Sequence, residues 1–85
     1  MTKQDFIIKI ATNLVVLDSK MHGAKYDAEE STDEAIKELA YTEMAQCEYH
    51  LNNMFEIADN HNLLEEITEE AINQGATFSY LEEVA

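Results

Sequence analysis

Proline is absent from this chain and glycine occurs only twice, at Gly23 and Gly75, so long stretches run without the residues that most often break a helix. Sparse punctuation favours long helices and makes each glycine informative about where one ends. Arginine is also absent, and five lysines face 18 acidic residues, for a formal net charge of −13. Such a chain repels phosphate, which disfavours direct binding of DNA, RNA or an anionic membrane surface. A single cysteine, Cys47, cannot form an intramolecular disulfide. The staple of small secreted folds is therefore missing, and a reducing cytoplasm, bacterial or host, is the expected home. The apolar cluster from Phe6 to Leu17 is interrupted by Lys9, Thr12 and Asn13, and no small-residue cleavage site follows it. It reads neither as a signal peptide nor as a membrane span.

What is present suffices for a folded unit. At 85 residues the chain is expected to form a single domain, 1–85, because a unit this small buries only about 60–65% of its unfolded surface and cannot divide its core. Hydrophobic residues make up 46% of it, too many for a wholly disordered chain. The charge is uneven. Residues 1–26 hold four lysines (Lys3, Lys9, Lys20 and Lys25) against two aspartates, whereas residues 27–85 hold one lysine against sixteen acids.

The periodicity predicts an all-α fold, a small bundle of three main helices at about 3–21, 32–60 and 63–74 with a short C-terminal segment. Thr2 is placed to cap the first helix and Gly23 to end it in the left-handed conformation. At about 100° per residue, Phe6, Ile7, Ile10, Leu14, Leu17 and Met21 form one stripe. Ile8, Val15 and Val16 fall outside it, which makes this helix either central in the fold or a homodimer seam. Residues 22–31 read as a loop, and Ser31 with Glu34 matches a capping box. Ile36, Ala40, Met44, Cys47, Leu51, Met54, Phe55 and Ala58 then step by three and four as the seam of a second helix. Leu63, Leu64, Ile67 and Ala71 give a third that ends at Gly75. In the tail, Thr77 and Ser79 are candidate caps, and Phe78, Tyr80 and Leu81 candidate anchors.

The opposite side of the second helix carries Glu34, Glu38, Tyr41, Glu48, Glu56 and Asp59, and the third helix adds Glu65, Glu66, Glu69 and Glu70. With almost no lysine among them, these carboxylates repel one another, a cost that interspersed lysines would relieve. That uncompensated field marks Glu34, Glu38, Tyr41, Glu48, Glu56, Asp59, Glu66 and Glu70 as candidate partner-binding residues. A basic, nucleic-acid-binding protein is the expected partner. The bland alternative is a solubilising face. Tyr26 and Tyr41 are the better aromatic anchors, with Tyr49 and Tyr80 equally suited to packing.

Glu43, Cys47 and His50 share one side of the second helix and are all zinc-binding types, yet three ligands on one helix is an unusual site; a buried thiol between polar neighbours is preferred, and no metal or cofactor is expected. His22 and His61 are placed at helix ends. Neither a nucleophile elbow nor a glycine-rich phosphate loop occurs, so no enzyme is expected. Two acidic pairs, Glu30-x-x-Asp33 and Glu56-x-x-Asp59, leave one catalytic alternative. With the stretch FEIADNHNLLEEI, they resemble part of the pattern of the MazG-type all-α nucleotide pyrophosphohydrolases, which implies Mg²⁺ held by both pairs. The match departs from the family at Glu30, which precedes the predicted helix cap, and in lacking basic residues to hold a triphosphate.

In size and charge the chain is similar to the acidic inhibitors that bacteriophages make against host defence, DNA-mimicking antirestriction and anti-CRISPR proteins among them, which share composition rather than a fold. The leading expectation is a small acidic interaction protein that binds and inhibits a basic partner. The alternative of another class is a dimeric helical adaptor or regulatory subunit working through Ile8, Val15 and Val16 of helix one.

Overall fold

The computed structural model describes residues 1–78 and contains three helices, α1 (Lys3–Glu30), α2 (Glu34–Asn60) and α3 (Leu64–Asn73), with no strand among the described residues. The expected all-α bundle is the fold. Its long axis measures 46 Å, set by α1 and α2, which pack along each other as a hairpin. The short α3 lies against α1 and barely touches α2. Helix α1 is thus central, and Val15 packs on its own chain's core while Ile8 and Val16 remain exposed.

Each helix end has a local cause. Thr2 accepts the Asp5 N–H on Oγ1 at 3.1 Å, and Asp5 returns the favour by accepting the Thr2 N–H at 3.3 Å, a closed capping box. At the end of α2, Leu63 N–H reaches the Ala58 carbonyl and Asn62 N–H the Asp59 carbonyl, both at 2.9 Å, with Asn62 at φ 57°. This is a Schellman ending with asparagine in the left-handed position. The end of α3 repeats it with Gly75 at φ 116° and Ala76 N–H on the Ala71 carbonyl at 3.0 Å.

Three expectations about the first connection fail together. Helix α1 does not stop near Met21 but continues through Gly23 to Glu30, so the ten-residue loop shrinks to Ser31, Thr32 and Asp33. The reason lies in Met21, Ala24 and Ala28, which extend the buried stripe by three and four. Packing against α2 outweighs the ~1 kcal/mol that a mid-helix glycine costs relative to alanine. Asp33, not Ser31, caps α2: its carboxylate accepts the N–H groups of Ala35 at 2.9 Å and Ile36 at 3.4 Å. Ser31 instead closes α1, donating its backbone N–H to the Asp27 carbonyl, and its hydroxyl accepts the Asp33 N–H. The boundaries of α2 and α3 otherwise fall within two residues of expectation.

The core occupies one end of the hairpin. Ile7, Ile10, Ala11, Leu14 and Met21 of α1 meet Cys47, Leu51 and Ala58 of α2 and Leu63, Ile67 and Ala71 near α3, with Phe6, Leu17, Met44, Met54 and Phe55 partly buried around them. Toward the α1–α2 turn the buried residues are alanines: Ala24, Ala28 and Ala40. Ile36, expected in the seam, is instead 46% exposed, near the α1–α2 turn where the buried residues are small. Leu64 is likewise on the surface, with Leu63 buried in its place.

Candidate functional site

Helix α2 runs unbroken from its Asp33 cap to Asn60 and buries Ala40, Cys47, Leu51 and Ala58. Its outer side therefore points to solvent over its whole length. Glu34, Glu38, Tyr41, Glu48, Glu56 and Asp59 are all exposed there, as the three-and-four stepping requires. From Glu34 to Asp59 this rank spans about 38 Å at 1.5 Å per residue. Among the described residues none of its five carboxylates is ion-paired.

The two residues assigned from α3 do not join it as equals. Glu66 is exposed, but Glu70 is half-buried and accepts a hydrogen bond from Gln74 Nε2 at 3.2 Å. The Gln74 side-chain Oε1 in turn accepts the Thr12 hydroxyl of α1 at 3.2 Å. Glu70 thus belongs to the α1–α3 seam. Of the tyrosines, Tyr26, Tyr41 and Tyr49 are all exposed, and Tyr49 makes an edge contact with the neighbouring His50 ring. Ser79, Tyr80 and Leu81 lie outside the described residues.

Sequence reasoning missed Asp18. It is 4% exposed and lies on the buried stripe, four residues after Leu14 and three before Met21, a spacing that could have singled it out. Its two carboxylate oxygens accept the backbone N–H groups of Thr77 and Phe78, each at 3.2 Å. His22, one turn on, lies 3.4 Å from Asp18 and 2.8 Å from the Thr77 hydroxyl. It is therefore a mid-helix residue rather than the helix-end residue expected. His61 does sit at a helix end, but its ring stands edge-on to Phe6 at 5.0 Å. Phe78, held at φ 50°, packs its ring against Phe55 at 5.7 Å. A buried charge is tolerable only when hydrogen-bonded. Asp18 meets that condition by fixing the segment after α3 onto α1.

The other chemical candidates separate. Cys47 is buried, and desolvation, reinforced by Glu43 and partly opposed by Lys20, raises its thiol above the ordinary range. A protonated, buried thiol is a poor nucleophile and a poor metal ligand. Among the described residues no group of three or more His, Cys, Asp or Glu is arranged to hold a metal ion. The Glu30/Asp33 pair stands at the α1–α2 turn and the Glu56/Asp59 pair at the far end of α2. About 34 Å of helix separates Asp33 from Glu56, so the two pairs of one chain cannot share a magnesium ion.

No family model, curated protein or solved structure matches the chain. Its functional reading rests on the residues and their arrangement. Among the described residues no helix is long and apolar enough to cross a membrane.

Proposed function

We propose that this protein binds a basic surface on another protein through the outer face of α2 and competes there with nucleic acid, an occupancy role without catalysis. The observation that supports this most is the rank of exposed carboxylates on one continuous helix, none of them ion-paired among the described residues. Carboxylates one turn apart, as Glu34 and Glu38 are and Glu56 and Asp59 are, repel each other. A complementary cationic partner removes that repulsion on binding and is drawn in by the net charge of −13. Rigid presentation matters as well, because acids on a packed helix need no ordering when the partner arrives. Inhibition of the bacteriophage anti-defence type is the specific form we favour. Five carboxylates over about 38 Å are far sparser than duplex phosphates, at one charge per roughly 1.7 Å of axis, so the face suits a basic protein groove without copying a full duplex.

A second reading is supported by the exposure of Ile8 and Val16 on α1. There the protein is an adaptor that pairs through helix one. The experiment that decides is affinity capture of partners from lysate of the producing cells, eluted with a salt gradient, using the natural chain beside a Glu48→Gln/Glu56→Gln variant. A nucleic-acid-binding protein released at moderate salt, and lost from the variant, supports the acidic face. A partner that resists salt and is lost instead on Val16→Glu transfers the role to α1.

A further inference from the structure

The end of the hairpin that carries the α1–α2 turn is built inside out. Its buried residues are the small Ala24, Ala28 and Ala40, while its large apolar side chains stand in solvent: Leu39 at 71% exposed, Tyr41 at 59% and Ile36 at 46%. Ile36 and Leu39 are one turn apart and form a continuous apolar strip. Glu38 stands between two shallow depressions on the same turns, one lined by Ala35, Leu39 and Thr42, the other by Glu34, Lys37 and Tyr41. Thr42 already donates its hydroxyl to the Glu38 carbonyl at 3.0 Å, so the first depression is apolar in effect. Single exposed leucines are ordinary, but a strip of large side chains beside a core of alanines is a surface waiting for cover.

The charge around the strip selects what covers it. Between His22 and Glu43 the chain has seven acids and two lysines. A second copy would bring predominantly acidic rims together, whereas a cationic segment would meet Glu34, Glu38 and Glu43 against the single Lys37 of that stretch. We propose that the first turns of α2, Glu34 to Thr42, dock a lysine- or arginine-rich segment of the partner that carries an apolar anchor. Leu39 takes the anchor in the depression it lines with Ala35 and Thr42, and Glu34 and Glu38 take its flanking cations. This rests on the reading of the protein as a binder of basic partners. It places the hot spot at the hairpin end rather than spread along α2, as interfaces concentrate their affinity in apolar and aromatic anchors ringed by charge.

The test is an amide-shift titration of the isotope-labelled chain with two synthetic probes, an oligolysine and an amphipathic lysine–leucine peptide of equal charge. The expected result is that the amphipathic peptide shifts the amides of Glu34 to Thr42 most. Leu39→Ser should weaken it about tenfold while leaving oligolysine binding unchanged. Because Leu39 lies outside the core, the variant should keep its helical circular dichroism. Shifts confined to Glu48–Asp59, or unchanged affinity of L39S, would overturn the docking surface and leave the acidic-face reading standing. Absence of salt-sensitive binding by either probe removes both. A dimer in sedimentation that L39S dissolves gives the strip to a second copy and equally overturns the proposal.

Discussion

The two ends of the hairpin solve the same problem in opposite ways. At the α3 end, three helices enclose the large side chains of Leu14, Leu51 and Ile67. At the α1–α2 turn, two helices meet through Ala24, Ala28 and Ala40, and isoleucine, leucine and tyrosine take the surface. Burial of a leucine contributes roughly 1.5–3 kcal/mol and of an alanine far less, so the first end holds the molecule together and the second is carried along by helix continuity. On the proposed reading, stability and recognition are divided along one pair of helices.

The sharpest way to break this comparison is to truncate a leucine at each end of the same helix. Leu51→Ala should cost about 3 kcal/mol in urea unfolding, whereas Leu39→Ala should change stability by under about 0.5 kcal/mol. Equal costs would mean that the turn end shares in the core. Next in size is the clasp onto α1. Asp18→Ala leaves two backbone donors without their acceptor and should lose about 2 kcal/mol, with the Thr77 and Phe78 amides moving first in the NMR spectrum.

The two glycines come third and should act with opposite sign. A Cβ on Gly23 meets nothing within 4 Å. Gly23→Ala should therefore stabilise α1 where the two ends join, by about 0.5–1 kcal/mol. Gly75→Ala should destabilise by about 1 kcal/mol because φ 116° is strained for any side chain. Thermal midpoints of the pair decide whether α1 is one helix.

The smallest effect concerns pH. Since burial raises the Cys47 thiol, the unfolded chain loses that proton first. The contribution is complete below about pH 8.5 and is lost as pH rises beyond it. Unfolding midpoints measured across that range should fall less steeply in Cys47→Ala than in the natural chain.

The all-α class, the Thr2 cap, the Gly75 ending and the acidic rank on α2 were legible because each is written in local chemistry or in a period of three and four. The extension of α1 was not. Ala24 and Ala28 continue the stripe with side chains too small to register as hydrophobic, and Gly23 reads as a terminator unless its neighbours on another helix are known. Asp33 prevailed over Ser31 as a cap because α1 had already claimed Ser31 for its own end. Asp18 stood at a legible spacing on the buried stripe, but its role did not show there: the N–H groups it binds lie 59 and 60 residues away, a distance no periodicity spans.

That separation has a consequence for how water reaches the interior. With Thr77 and Phe78 in place, both oxygens of Asp18 are spent on their N–H groups. With that segment detached, the carboxylate must be hydrated, because a buried charge without hydrogen bonds is too costly to keep. Release of the segment after α3 therefore wets the surface of α1 around Asp18, and hydrogen exchange at the Thr77 and Phe78 amides reports that local opening ahead of global unfolding.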